Sequence, residues 1–242
     1  MKKLSFLVIM TLAMLTSLNA VAQVENFDIN VGDFTQLVVD NNIDVVYKPS
    51  KTLAGHVQFK ATKKVANNLI FNYASKKKKL TIQVAEDMMG KDQTPLLTVY
   101  SSTLVFAENN ADSTVTVFVP KGVKEFTAVS SRNGDTKLKE VDVEKLTVRI
   151  KTGWGDIYAS GKCDQLVVRG LGTGDLNVQE LKARTADVRY TGRGVVRCDV
   201  TDELKVKGTG GAKVLYKKLP ANVSKAKLLR GIHLGLLGDE KK

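Results

Sequence analysis

The chain has 242 residues, with 37 Lys and Arg against 25 Asp and Glu, so its net charge is +12. This excess of positive charge favours anionic partners such as phosphorylated lipids, acidic glycans or nucleic acids. The alternative is that the charges lie on strand edges and keep the protein soluble. Two cysteines exclude a disulfide-rich fold, and the distant His56 and His233 give little support to a histidine-based metal site or catalytic triad.

Residues 1–22 are typical of an export signal. Lys2 and Lys3 form a short basic start, an apolar run follows, and Ala20-Val21-Ala22 is a cleavage motif. We therefore expect an exported chain that starts at Gln23, carries a net charge of +10 and has no lipid anchor, because no cysteine follows the cleavage motif. The alternative is an uncleaved N-terminal anchor. The mature chain contains no further apolar stretch long enough to span a membrane.

Residues 23–120 are rich in alternating apolar and polar residues, which predicts strands without a regular repeat. The run from Lys76 to Lys79 is predicted to be a hairpin tip, and the polar stretch from Ala107 to Ser113 is predicted to be a loop. The predicted strands are two short ones in 37–48 around the turn Asp40-Asn41-Asn42, followed by 56–62, 69–75, 80–86, 96–102 and 113–120.

Residues 121–242 contain a repeat of roughly 20 residues, each copy being an alternating run, a glycine-centred turn and a second alternating run. A constant step of this length indicates a solenoid, in which each unit buries its apolar face against its neighbours. We therefore predict an all-β fold, a β-solenoid with coils of about 20 residues. Residues 23–120 would form a less regular part of the same solenoid, and 121–242 its regular coils and C-terminal cap. The turn glycines are Gly134, Gly155, Gly174, Gly194 and Gly211.

The repeat also predicts which residues are stacked in the interior of the solenoid. Period-two alternation places two equivalent positions of each copy on the core side. Cys163 and Cys198 fall at different places around the coil and close to two coils apart, so we expect two free thiols. The interior positions are Leu146, Leu166, Ala186 and Leu204, and Val148, Val168, Val188 and Val206.

A column of cations is predicted on the outer surface, at Arg149, Arg169, Arg189 and Lys207. Stacked guanidinium groups can bind phosphates, sulfates or carboxylates of a polyanion through paired hydrogen bonds. The alternative is a solvated face that only keeps the protein soluble, with acidic neighbours such as Asp187 softening the repulsion.

Two features of the turns are also candidates for binding. Asp135, Asp156 and Asp175 each follow a turn glycine, and stacked carboxylates can bind calcium, although aspartates in turns more commonly accept backbone N–H bonds. Trp154 is the single tryptophan and is expected to be exposed, where it could stack on a sugar ring or pack on a neighbouring turn. We predict no metal site and no cofactor.

The chain lacks the short signatures of common enzymes, such as a nucleophile elbow, a zinc-binding helix or a phosphate-cradling loop. Gly172-Thr173-Gly174-Asp175 is rich in glycine, but it joins two strands and opens no helix, so it does not indicate a nucleotide site. We therefore expect no catalytic residues.

The segments VFVPKGVKEF (117–126), VKGTGGAKVLYKKLP (206–220) and FTQLVVDNNIDVVYK (34–48), with the turns at 153–156 and 172–175, resemble the head GIN domain family. Members of this family are called putative auto-transporter adhesins and are exported proteins of Gram-negative bacteria. The resemblance implies a right-handed parallel β-helix, an exported location and an adhesive role. It supplies no catalytic residues.

Three functions follow as hypotheses. The first is a non-enzymatic adhesin, in the periplasm, on the outer membrane surface or outside the cell, that binds surface glycans or other anionic envelope components through its basic exterior, with no specific nucleic acid partner. The second is a structural module that forms homo-oligomers through its terminal coils, whose strand edges are unpaired unless capped. The third is a carbohydrate-active enzyme on a β-helix scaffold.

Overall fold

The computed structural model describes residues 23–86, 94–225 and 231–238, so the predicted export signal lies outside the described residues. Within them the chain forms β-strands throughout, with one helical turn, α1 (Lys63–Ala66), and one turn of 3-10 helix (Ser75–Lys77). The strands are β1 (Val24–Asn30), β2 (Gln36–Asp40), β3 (Val45–Pro49), β4 (His56–Thr62), β5 (Leu69–Ala74), β6 (Lys79–Val84), β7 (Leu97–Ser101), β8 (Phe106–Asn110), β9 (Val115–Phe118), β10 (Glu125–Ser130), β11 (Thr136–Ile150), β12 (Ile157–Gly172), β13 (Leu176–Gly192), β14 (Val195–Thr209), β15 (Lys213–Tyr216), β16 (Asn222–Lys225) and β17 (His233–Leu236).

These strands form one hydrogen-bonded β-solenoid, which confirms the predicted fold class. Each long strand from β11 to β14 contributes its first part to one face and its last part to another. The first part of β11 pairs with β9 and its last part with β10, and β14 pairs in the same way with β15 and β16. The first face of the solenoid consists of β6, β2, β8, β10, the last parts of β11 to β14, and β16. The second face consists of β7, β3, β9, the first parts of β11 to β14, β15 and β17.

The predicted interior register is confirmed. Leu146 pairs with Leu166, which pairs with Ala186, and Ala186 pairs with Leu204. The valines two residues further along pair in the same way, and every member of both sets is at most 3% exposed. Burial of these stacked side chains is the main stabilising contribution, at roughly 25 cal/mol per Å² of apolar surface.

The order of coils in space differs from their order in the chain at the N-terminal end. β2 pairs with β6 on one side and with β8 on the other, and all three are parallel. β3 lies in the same way between β7 and β9. The second coil, formed by β2 and β3, therefore comes earlier in the chain than the outermost coil, formed by β6 and β7. This order explains why residues 23–120 show no regular repeat.

Antiparallel strands close this end of the solenoid. β4 pairs with β7 and β1 pairs with β4, while β5 forms a hairpin with β6. The rings of Phe27 and Phe59 are stacked with centroids 5.1 Å apart, and Phe71 lies 6.2 Å from Phe59. Three strands thus contribute aromatic rings to one apolar cluster that covers the outermost coil at this end. The predicted tip from Lys76 to Lys79 is confirmed as the β5–β6 connection.

The prediction of a loop from Ala107 to Ser113 is wrong for its first four residues, because Phe106–Asn110 forms β8, and holds for 111–113, which form the bend after it. The polar Asn109 points inward and is 1% exposed. Its amide donates to the carbonyl oxygens of Ser113 and Asp135, at 2.9 and 3.0 Å, so burial of this side chain leaves no unpaired donor. Both cysteines are buried with free thiols.

Candidate functional site

The four predicted cations form a continuous column on the outside of the first face. Arg149 pairs with Arg169, and Arg189 pairs with Arg169 on one side and Lys207 on the other. Neighbouring coils are about 4.8 Å apart, so the column is about 14 Å long. The outward direction of these side chains follows from alternation with the buried valines that precede them in each strand.

Asp187 holds two members of this column. Arg169 donates from Nη1 to the Asp187 carbonyl oxygen at 3.0 Å and from Nη2 to Oδ2 at 3.2 Å. Arg189 donates to the same carboxylate from Nη2 at 3.3 Å. Among the described residues Arg149 and Lys207 form no ion pair. Asp187 thus neutralises one of the four positive charges, and the column keeps a net positive charge.

A groove of about 520 Å³ runs along the column across four coils. The column itself forms one wall. The opposite wall consists of the next outward residues, Lys151, Leu171 and Thr191, which lie about 6.6 Å further along the strands. Leu171 is 58% exposed, so the groove combines cations with an apolar contact surface. This second wall could have been predicted from the repeat, since each residue of the wall follows an arginine of the column by two positions.

Other outward columns pair opposite charges. Lys145 lies 3.5 Å from Glu125, its in-register neighbour, and Lys162 lies 3.3 Å from Asp142 in the same arrangement. Arg184 contacts Asp164 on one side and Asp202 on the other, at 3.9 and 3.6 Å. Like charges about 5 Å apart repel by up to about 1 kcal/mol in water. The arginine column, with a cation in each of four successive coils, therefore differs from these columns, each of which includes carboxylates.

The side chain of Lys151 extends from the groove wall to a carboxylate two coils away. Its Nζ lies 2.7 Å from Oε1 of Glu108, which also accepts a hydrogen bond from the Ser131 hydroxyl at 2.6 Å. Burial by itself would raise the pKa of Glu108, but these two hydrogen bonds and the positive charges of Lys151 and Lys79 together lower the pKa below its usual value. The interaction lies at the end of the groove that carries Arg149.

Trp154 lies outside the groove, on the turn that follows it. Its side chain is 69% exposed, as predicted. Its backbone N–H donates to Oδ1 of Asn133 at 3.4 Å, which ties the turn to the preceding coil. The exposed ring therefore belongs to the turn between the two faces, two residues after Thr152 of the groove wall.

The aspartates of the turns bind backbone groups of the next coil. Asp175 N–H donates to Oδ1 of Asp156 at 2.8 Å, and Val195 N–H donates to Oδ1 of Asp175 at 2.8 Å. Asp175 Oδ2 also accepts from Arg197 at 3.0 Å. In the part of the chain that the structure describes, no group of three His, Cys, Asp or Glu side chains could hold a metal ion. The carboxylates accept backbone N–H bonds, as the turn alternative predicted, but the donors lie in the next coil and not in the same turn.

His56 is not isolated. Its Nδ1 lies 2.6 Å from Oδ1 of Asp28, across the β1–β4 pair, and the Gln58 amide donates to Oδ2 of the same carboxylate at 2.9 Å. The bonds from Gln58 and His56 lower the pKa of Asp28. This histidine therefore belongs to a polar cluster of the N-terminal cap.

The fold and the groove together define a class of protein, a β-solenoid with a cationic groove along one face. Residues 33–220 match the family described as "Putative auto-transporter adhesin, head GIN domain". The chain therefore belongs to the head GIN domain family. No curated protein matches its sequence. No helix in the described residues is long and apolar enough to cross a membrane.

Solved structures of low sequence identity share the fold. A putative adhesin from Bacteroides fragilis superposes with a TM-score of 0.76 at 17% identity, over 88% of this chain and 97% of that one. A putative adhesin from Parabacteroides merdae gives a TM-score of 0.68 at 15% identity, over 89% and 96%. A structure from Parabacteroides distasonis named a putative lipid binding protein gives 0.65 at 14% identity, over 89% and 97%.

Proposed function

We propose that this chain is an exported, non-enzymatic adhesion protein whose groove binds an anionic glycan of a cell envelope or host surface. The observation that carries the proposal is the column of like charges from Arg149 to Lys207. The cations of the column repel one another in the free protein, so an anion that lies along the column removes this repulsion and binds favourably. Membership of an adhesin family supports the same role.

The composition of the groove favours binding over catalysis. Its described lining residues offer guanidinium, ammonium, hydroxyl and apolar groups. The adjacent carboxylates of Asp187 and Glu108 are already held in ion pairs by cations of the groove walls. Hydrolysis of a glycosidic bond generally needs two carboxyl groups on either side of the bond. An extended polyanion that crosses several coils would meet one cation in each coil and the exposed Leu171 beside them.

Titration of the full chain with a sulfated polysaccharide at two salt concentrations tests the proposal. The triple variant Arg149→Ala, Arg189→Ala, Lys207→Ala should lose most of its affinity. The matched control Lys76→Ala, Lys77→Ala, Lys78→Ala removes three charges from the exposed β5–β6 tip and should retain it. Equal losses in the two variants, or binding that disappears entirely at physiological salt, would show that only net charge was detected.

Self-assembly is a second candidate, favoured by the C-terminal strands. In the described residues β16 pairs only with β14 and β17 only with β15, and Leu236 is 45% exposed. The other end of the solenoid is closed by antiparallel strands, so stacking through the free edges would give closed dimers. Sedimentation velocity over a range of concentrations tests this proposal. Leu236→Lys should abolish any dimer, and a monomer at all concentrations would refute it.

A further inference from the structure

The second face carries a hollow of about 240 Å³ on the outside of β12, away from the arginine groove. One side of the hollow is the in-register column of Lys137, Tyr158 and Asn177. The other side is formed by the next outward side chains along the strands, which include Lys139 and Gln179.

Two β-bulges flank this hollow, one on each side of β12. β11 has one extra residue between Leu138 and Val141 relative to β12, and β13 has one extra residue between Asn177 and Glu180. Glu140 in the first bulge has φ of +56°, a left-handed conformation that costs energy for a residue other than glycine. Bulges change the direction of side chains and are enriched beside functional sites.

The hollow contains a nearly balanced mixture of donors and acceptors. The Tyr158 hydroxyl donates to Oδ2 of Asp156 at 3.1 Å, which holds the ring in place at one side. Asn177 and Gln179 each offer an amide, and Lys137 and Glu180 have no ion-pair partner among the described residues. Hydroxyl groups both donate and accept, so such a mixture suits a polyhydroxylated ligand, and an aromatic ring suits the apolar face of a sugar.

The size of the hollow limits the ligand. Pockets for drug-sized molecules have volumes of roughly 300–1,000 Å³, and this hollow is smaller. We propose that it binds one neutral sugar ring, either free or as a unit of a longer glycan. The site is distinct from the arginine groove, because it selects hydroxyl groups and the groove selects negative charge.

Saturation-transfer NMR on the full chain tests this site with galactose, mannose, N-acetylglucosamine and glucuronate. At least one neutral sugar should bind equally well at low and high salt. Tyr158→Ala and Gln179→Ala should each weaken binding by about tenfold, since one removes the ring and the other an amide. Tyr158→Phe keeps the ring and should retain binding. Arg149→Ala, in the groove, should also retain it.

Three results would overturn the assignment. The first is that none of the neutral sugars binds. The second is that binding is unchanged in Tyr158→Ala or in Gln179→Ala, each with an unaltered thermal unfolding midpoint. The third is that every neutral sugar that binds is displaced by salt. None of these results affects the groove, which is tested by a polyanion and by different variants.

Discussion

The ring of Tyr190 fills the interior space that Gly170, its in-register neighbour in the preceding coil, leaves open. A Cβ atom on Gly170 would overlap the ring. The Tyr190 hydroxyl donates to the carbonyl oxygen of Gly174, so the ring is held at both ends inside the solenoid. Gly194 leaves room for the hydroxyl end of the same ring, since a Cβ atom there would overlap it. This pair of glycines thus fixes the position of the largest side chain beneath the groove.

Gly170→Ala should lower the free energy of unfolding by about 1–3 kcal/mol, because the added methyl group overpacks the core. Urea denaturation measures this loss. In a Tyr190→Leu background the same substitution should cost distinctly less, since the ring is absent. Equal costs in the two backgrounds would contradict the steric explanation.

Asp175→Ala should destabilise the protein by about 1–3 kcal/mol, because Val195 N–H and the Arg197 guanidinium lose their acceptor. Asp142→Ala, which removes only an exposed ion pair, is the matched control and should cost about 0–1 kcal/mol. Thermal unfolding of the wild type should not change when calcium or a chelator is added. A calcium-dependent midpoint would revive a metal-binding role for the turn aspartates.

Asp187→Asn should strengthen binding of a sulfated polysaccharide by about fivefold at low salt. The substitution removes one negative charge near Arg169 and Arg189, which corresponds to about 1 kcal/mol. Asp164→Asn removes a charge paired with Arg184, outside the groove, and should have no effect. Weaker binding in Asp187→Asn would contradict this expectation. It would mean that the carboxylate orients the two arginines for binding more than it competes with the polysaccharide for them.

The Glu108–Lys151 interaction should make stability depend on pH. The pKa of Glu108 is lowered on folding, so its contribution is fully present above the unfolded value near 4.5 and is lost as pH falls through the lower folded value. Glu108→Gln should therefore cost about 1 kcal/mol at neutral pH, with Lys151 half exposed, and progressively less in acid. Denaturation curves at several pH values measure the difference. A constant difference would contradict the ionised pair.

Both thiols should resist modification in the folded protein. Burial raises the pKa of Cys163 and of Cys198 to about 12, so neither forms a reactive thiolate at neutral pH. A thiol-specific reagent should label no cysteine in buffer and two in denaturant. Labelling of Cys163, which is 6% exposed, under native conditions would reveal local opening of its corner.

The regular coils could be predicted from the sequence because each coil pairs with its neighbours in the chain. The step of about 20 residues aligned Leu146 with Leu166, and the same alignment placed Arg149 beside Arg169. Resemblance to the head GIN domain family pointed to the same fold. Interior and exterior followed from strand alternation alone, so the arginine column was identified before any tertiary contact was known.

The rest depended on contacts between distant residues. The position of β2 between β6 and β8 depends on the packing of strands that are distant in the chain, so no local sequence pattern predicts it. Asn109 looked like a loop residue because its partners, Ser113 and Asp135, come together only in the folded coil.

Sequence by itself determined the period, the buried positions and the charge of the outer columns, because these depend only on alternation within a strand. Tertiary structure alone decided which columns became sites. Lys151 and Leu171 form a groove wall because parallel coils bring them into one line opposite the arginines. The hollow over β12 exists because two neighbouring strands each accommodate one extra residue, a mismatch that appears only when the strands are paired.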